Sequence, residues 1–100
     1  MNTAFNKILV AYDGSDSSKS AMQSAYGIAQ KFNSEVTALV VPETTTDMEL
    51  CASYLLKFAE TKHLKLEIIQ RKGRVYDEVI QLEKEHDFSL ILIGTHGTSG

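Results

Sequence analysis

KILVAYDGS, at residues 7–15, is a short apolar run that breaks off into an aspartate, a glycine and a serine. LILIGTHG, at residues 90–97, repeats this arrangement near the other end of the chain. An apolar run closed by glycine and small polar residues is typical of a buried parallel strand that delivers a loop to the edge of an α/β sheet. Because ligands bind at such edges, the two stretches also predict where a functional site lies.

Between these two stretches, the sequence alternates between strand and helix patterns. Pro42 ends a second apolar run, a polar connection is predicted at residues 43–47, and Gly73 follows a third, shorter run. Strands are predicted at 7–12, 36–41, 66–70 and 90–93, and helices at 17–32, 48–63 and 75–86. The order βαβαβαβ implies right-handed crossovers and a doubly wound parallel sheet of the α/β class.

The apolar spacing of each predicted helix defines the face that packs on the sheet. Gly27, inside the first helix, predicts a close approach to the sheet, and Cys51 is predicted to be a small buried residue. The unbroken apolar run at 90–93 predicts a central strand, and the alternation at 66–70 predicts a strand near an edge. The inward helical residues are predicted to be Ala21, Ala25, Ile28, Ala29, Phe32, Met48, Ala52, Leu55, Leu56, Ala59, Tyr76, Val79, Ile80 and Leu82.

Composition limits the class of protein. The chain has 100 residues, 43% of them hydrophobic, so we expect a single domain over residues 1–100, truncated at its C-terminus. The net charge of −3 is scattered along the chain, which argues against a nucleic-acid partner. The single cysteine, and the lack of a secretory signal or of an apolar run long enough to cross a bilayer, predict a cytoplasmic protein with no membrane partner.

Candidate binding residues lie at the ends of the first and fourth strands. Gly94 and Gly97 would let backbone N–H groups approach a phosphate, and Asp13 suits ribose hydroxyls or a cation. His96, inside the glycine-rich loop, would contact a phosphate or a metal, or be a solvent-exposed loop residue. Tyr12 would stack on a base or close the core at the strand end. Either motif taken alone is more typical of a turn than of a binding site, and in the first case of a turn with a helix cap.

Taken together, these residues resemble the universal stress protein family. The resemblance rests on KILVAYDGS at residues 7–15, LVV at 39–41, Gly73, and DFSLILIGTHG at 87–97. It implies a Rossmann-like sheet of five parallel strands, similar to that of the adenine nucleotide alpha hydrolases, in a protein that is usually a homodimer. Many members of the family bind ATP, with or without Mg²⁺, and act as regulatory modules in the stress response, whereas many others bind no nucleotide.

The resemblance also assigns roles to individual residues. In the members that bind ATP, a loop of the form G-x2-G-x9-G-[ST] holds the phosphates, and Gly94 and Gly97 correspond to its first half. Asp13 corresponds to the ribose contact. The residues around the adenine correspond to Ala11, Tyr12, Val41 and Ile93.

The chain departs from the family pattern in three places. The second half of the phosphate loop, the last helix and the fifth strand would all follow Gly100, and are missing. Val40 stands where a histidine is frequent in the family. No proline follows Gly73, although one is common nearby.

Three other function classes share part of this sequence pattern. GSDS at residues 14–17 is similar to part of the pyrophosphate loop of ATP-dependent adenylating enzymes, but Asp13 stands where that loop has glycine. A phospho-receiver domain needs an aspartate at the end of its third strand, where this chain has Gln70. A universal-stress-type interaction module without nucleotide stays open as an alternative. No catalytic residue is assigned, since no nucleophile has an evident base, and no metal ligand is assigned.

Overall fold

A computed structural model describes residues 6–94, in which four strands alternate with three helices. Every predicted strand and helix is present, which confirms the βαβαβαβ order. The elements are β1 (Lys7–Tyr12), α1 (Asp16–Phe32), β2 (Glu35–Val40), α2 (Thr45–Lys62), β3 (Leu66–Gln70), α3 (Val75–Glu85) and β4 (Leu90–Ile93).

The strands form one parallel sheet in the order β3-β2-β1-β4. From β1 the chain steps to β2 and β3 in one direction, and then crosses back past β1 to β4. Because the crossovers share one hand, α1 and α2 cover one face of the sheet and α3 covers the other. We call these the two-helix face and the one-helix face. The doubly wound α/β arrangement is thereby confirmed, with its change of direction between β1 and β4.

Alternate residues of each strand pack on opposite faces. The two-helix face carries a cluster that includes Ile8, Val10 and Tyr12 of β1. The one-helix face carries a smaller cluster in which Leu9, Ala11, Leu39, Val79 and Leu82 are buried. Since both faces of β1 and β2 are covered, these strands have no polar alternation, as is typical of a parallel sheet.

The predicted helix faces are only partly correct. In α3 the inward residues include Val79 and Leu82, whereas Tyr76 and Ile80 are 62% and 51% exposed. Two stripes of apolar residues satisfy the helical period here, and the one containing Val75, Val79 and Leu82 faces the sheet. The same ambiguity explains the exposed Leu56 and Phe32, because α2 and α1 present other residues to the core: Cys51, Leu55, Phe58, Met22, Ala25 and Ala29.

The helix and strand boundaries agree with the prediction to within one residue, except at the start of α2. β2 ends at Val40, so Val41 lies just beyond the strand. α2 begins at Thr45, inside the stretch predicted to be a connection, because the hydroxyl of Thr44 accepts a hydrogen bond from the Asp47 N–H at 3.0 Å and caps the helix.

Two predicted packing features are also corrected. Gly27 is exposed, and a Cβ added there would have no neighbour within 4 Å, so it marks no close approach. β4 forms an edge in the described part of the sheet, because it pairs with β1 alone and its residues are half-buried. The predicted edge position of β3 and the burial of Cys51 are confirmed.

Candidate functional site

A cavity of about 320 Å³ opens at the carboxyl ends of β1, β2 and β4, on the one-helix face. We call it the strand-end cavity. Six of the residues predicted for the site line it, and three others were not predicted. His96 and Gly97 lie outside the described residues. The lining residues are Ala11, Tyr12, Asp13, Val41, Ile93 and Gly94, which were predicted, and Leu39, Val75 and Tyr76, which were not.

The floor of the strand-end cavity is a row of side chains on three neighbouring strands. Ala11 is paired in register with Leu39 on one side and with Ile93 on the other. Residues paired in this way project from the same face of the sheet. Because the central residue of the row is an alanine between two large aliphatic side chains, the floor is lowest at Ala11, at the point where the strand order reverses.

The missed lining residues follow from the topology. Leu39 lies two residues before Val41, so strand alternation places it towards the same face. Val75 and Tyr76 begin α3, and they reach the cavity only because the β3–α3–β4 crossover runs over this face. The strand spacing was a signal for Leu39, whereas the start of α3 could be placed only once the strand order was known.

The turn from β1 into α1 is held by five hydrogen bonds among three residues, one of which the Ser15 hydroxyl donates to the Ser18 hydroxyl at 3.3 Å. Oδ1 of Asp13 accepts from the Ser15 N–H at 2.8 Å, and the Ser15 hydroxyl accepts from the Ser18 N–H at 3.1 Å, which caps α1. The buried Ser18 hydroxyl accepts from the Asp13 N–H at 3.3 Å and donates to the Ser15 carbonyl at 3.0 Å. The turn-and-cap interpretation of this segment is therefore confirmed, and the same bonds fix the Asp13 backbone at the mouth of the cavity.

Ser18 was not singled out from the sequence. It lies three residues after the capping serine, and its hydroxyl bonds back to the Asp13 N–H and to the Ser15 carbonyl. Serine side chains commonly bond to backbone groups three or four residues earlier, so this spacing was the available signal for its role.

Gly94 has a structural reason to be glycine. A Cβ placed there would lie 2.5 Å from the carbonyl carbon of Ser17 and from the backbone nitrogen of Ser18. The end of β4 thus approaches the first turn of α1 more closely than any side chain allows. Close packing of sheet against helix, expected at Gly27, occurs here instead.

The ring of Tyr12 lies on the two-helix face, away from the strand-end cavity. It stacks on Tyr54 with ring centroids 5.5 Å apart and an interplanar angle of 4°, and only 2% of the residue is exposed. Burial, reinforced by the neighbouring ionisable groups of Cys51, Tyr54 and Asp13, raises the pKa of the Tyr12 phenol far above its ordinary value. Of the two roles predicted for this ring, the structure supports closure of the core.

A second cavity, of about 390 Å³, lies at the other side of the same turn, between β1 and α2. Its lining includes Lys19, Asp47, Cys51 and Tyr54. The ammonium of Lys19 lies 5.0 Å from the centre of the Tyr54 ring. Burial, and then the charges of Asp13 and Asp47, raise the pKa of the Cys51 thiol, so this thiol is a poor nucleophile at neutral pH.

His63 and His86 lie at the C-terminal ends of two helices. His63 ends α2 in the left-handed conformation, with φ of 55°, and His86 ends α3. Within residues 6–94, no three side chains of His, Cys, Asp or Glu are grouped closely enough to hold a metal ion. Nor does this part of the chain contain a helix with the length and apolar character needed to cross a membrane.

Comparisons with known proteins point to one family. The sequence model of the "Universal stress protein family" matches residues 4–52. Universal stress protein YxiE of Bacillus subtilis is 30% identical in an alignment that covers 96% of this chain and 82% of that protein. Universal stress protein MJ0531 of Methanocaldococcus jannaschii is 29% identical in an alignment that covers 96% of this chain and 68% of that protein.

A solved structure supports the same fold. The crystal structure of a universal stress protein from Archaeoglobus fulgidus superposes with a TM-score of 0.85 over 99% of this chain and 37% of that one. At 19% identity, this likeness shows the fold alone.

Proposed function

The chain belongs to the universal stress protein family, and we propose that it binds an adenine nucleotide, ATP, in the strand-end cavity. Binding, rather than turnover, would make it a regulatory module of the stress response. One observation carries the proposal: Ala11, Asp13, Val41 and Ile93, which belong to three distant segments of the sequence, line a single cavity where the strand order reverses.

The lining suits the base. The floor of Ile93, Ala11 and Leu39 is aliphatic, and Val41 and Val75 add further apolar surface. The volume of about 320 Å³ lies at the lower end of the range usual for small-molecule sites. An apolar pocket with few polar groups is the common form of such sites, so the cavity fits a flat heterocycle better than a strongly charged group.

Asp13 suits the ribose. Its Oδ1 accepts the Ser15 N–H, and this bond orients the carboxylate at the mouth of the cavity. A carboxylate accepts several hydrogen bonds, so ribose hydroxyls can donate to the same group. The glycine-rich loop that the family resemblance assigns to the phosphates continues from Gly94 into residues outside the described part of the chain, and Mg²⁺ would accompany the phosphates there.

Thermal unfolding with and without Mg-ATP tests the proposal. A ligand present at 100 times its dissociation constant stabilises the folded state by about 2.7 kcal/mol, which is a readily measured rise in the unfolding midpoint. Asp13→Asn removes the charge but keeps an oxygen for the Ser15 N–H, so we expect it to fold normally and to reduce the ATP-dependent shift. Asp16→Asn is the matched control, since Asp16 is an exposed residue three positions away and does not line the cavity.

The possible outcomes separate the function from the assigned residue. If Mg-ATP leaves the unfolding midpoint of the wild-type chain unchanged, nucleotide binding is wrong and the interaction module without nucleotide takes its place. If ATP stabilises Asp13→Asn as much as the wild type, the nucleotide binds but Asp13 is not its ribose contact.

We propose two further properties, one implied by the family resemblance and one by the composition. The first is a homodimer, to be measured by sedimentation velocity with and without ATP. The second is a cytoplasmic location, to be measured by cell fractionation. Neither a nucleic acid nor a membrane forms part of the proposed function.

A further inference from the structure

Among the residues that line the strand-end cavity, Tyr76 alone is both aromatic and exposed. Solvent reaches 62% of it, whereas Tyr12, the other aromatic lining residue, is 2% exposed. Within residues 6–94 its ring contacts no other aromatic ring, in contrast to the paired rings of Tyr12, Tyr26, Tyr54 and Phe58. A large apolar side chain left exposed beside a cavity gains most from a ligand that covers it.

Tyr12 cannot supply an aromatic surface to the same ligand. Its ring is stacked on Tyr54 on the opposite face of the sheet and is almost completely buried. Turning the ring towards the strand-end cavity would break this stack and leave a void beneath α2. Within residues 6–94, an aromatic contact with a ligand in the strand-end cavity must therefore come from α3.

We propose that Tyr76 stacks on the base of the bound nucleotide, an inference that rests on the proposed nucleotide binding. The first turn of α3 packs over the one-helix face, so its side chains stand across the cavity from the sheet. The row formed by Ile93, Ala11 and Leu39 provides an aliphatic surface, lowest at Ala11, on one side of the base. The Tyr76 ring provides the other side, and the base lies in the slot between them.

A tryptophan reporter tests the stacking directly. The chain has no tryptophan, so Tyr76→Trp introduces a single one, whose fluorescence is quenched when adenine stacks on it. Ile80→Trp is the matched control, because Ile80 lies one turn further along α3, is 51% exposed and does not line the cavity. We expect ATP to quench the fluorescence of Tyr76→Trp at the concentrations at which it binds, and to leave that of Ile80→Trp unchanged.

Affinities give a second readout. Stacking of a base on an aromatic ring corresponds to a loss of roughly 5- to 150-fold in affinity when the ring is replaced by alanine. We therefore expect Tyr76→Ala to weaken ATP binding by a factor in this range, and Tyr76→Phe, which keeps the ring, to bind ATP like the wild type. Both variants change an exposed side chain, so we expect them to remain folded. Their unfolding midpoints without ATP measure this.

The outcomes distinguish this inference from the function on which it rests. If the wild-type chain binds ATP while Tyr76→Ala binds it equally well and Tyr76→Trp is not quenched, the stacking role is wrong and nucleotide binding stands. If titration calorimetry shows no ATP binding to the wild-type chain, both proposals are wrong.

Discussion

The two faces of the sheet differ most at the end of β1, where adjacent residues have opposite environments. Tyr12 points into the two-helix face, where its ring stacks on Tyr54 and fills the space beneath α2. Ala11 points into the one-helix face, where its small side chain leaves the floor of the strand-end cavity low. On the two-helix face a large side chain packs against α2, and on the one-helix face a small side chain leaves room in the strand-end cavity. The position of the site thus depends on the sizes of two neighbouring side chains as well as on the topology.

The largest expected effect on stability is on the two-helix face. Tyr12→Ala removes a ring that is 2% exposed and leaves its stacking partner without support, so we expect the free energy of unfolding to fall by about 3–5 kcal/mol. Tyr76→Ala, the matched change at the exposed tyrosine, should alter it by no more than about 0.5 kcal/mol. Urea denaturation measures both. Equal losses for the two variants would show that the faces are not packed as differently as the structure indicates.

The next effect concerns the contact between β4 and α1. A methyl group at Gly94 would overlap the backbone of Ser17 and Ser18, which cannot move without unwinding the first turn of α1. We expect Gly94→Ala to lower the free energy of unfolding by about 1–3 kcal/mol.

Gly27→Ala is the matched control for the Gly94 substitution. Gly27 lies in an exposed part of α1 with open space around it, so alanine should raise the free energy of unfolding by up to about 1 kcal/mol. Urea denaturation again gives both values. A stabilising Gly94→Ala variant would contradict the close approach of the two elements.

A small effect on stability is expected for the floor of the strand-end cavity on the one-helix face. Ala11→Val adds two methyl groups to the floor of the strand-end cavity, where there is room for them, so we expect the free energy of unfolding to stay within about 1 kcal/mol of the wild type. The same methyl groups would occupy the lowest point of the site and weaken ATP binding. Calorimetric titration of this variant should show the loss of affinity, and undiminished binding would place the nucleotide elsewhere.

The sequence predicted the strands and the strand-end residues better than it predicted the faces. The apolar runs of β1 and β4 end at Asp13 and Gly94, so the carboxyl ends of both strands could be predicted from the sequence. Parallel pairing then brings these two ends to one edge of the sheet. The face of the sheet that each residue occupies could not be predicted from the sequence, because strands covered on both sides have no polar alternation to orient them. For this reason the two roles of Tyr12 stayed open until the structure placed its ring against Tyr54.

A related ambiguity limited the prediction of which face of each helix packs on the sheet. In α3, both the stripe through Val79 and Leu82 and the stripe through Tyr76 and Ile80 satisfy the helical period. Only the packing of α3 on the sheet decides between them, and that packing also turns Tyr76 towards the cavity. A residue assigned to the core from the sequence thereby becomes the residue proposed to contact the ligand.

The most direct test of the proposed function is an ATP titration of the isotope-labelled chain, followed through its backbone amide resonances. If the nucleotide occupies the strand-end cavity, the amides of Ala11, Val41 and Val75 shift together in a saturable manner. The amides of Asp47 and Lys57, which belong to α2 on the two-helix face, should shift little. Shifts confined to the second set, or no saturable shift at all, would contradict an adenine-nucleotide site on the one-helix face.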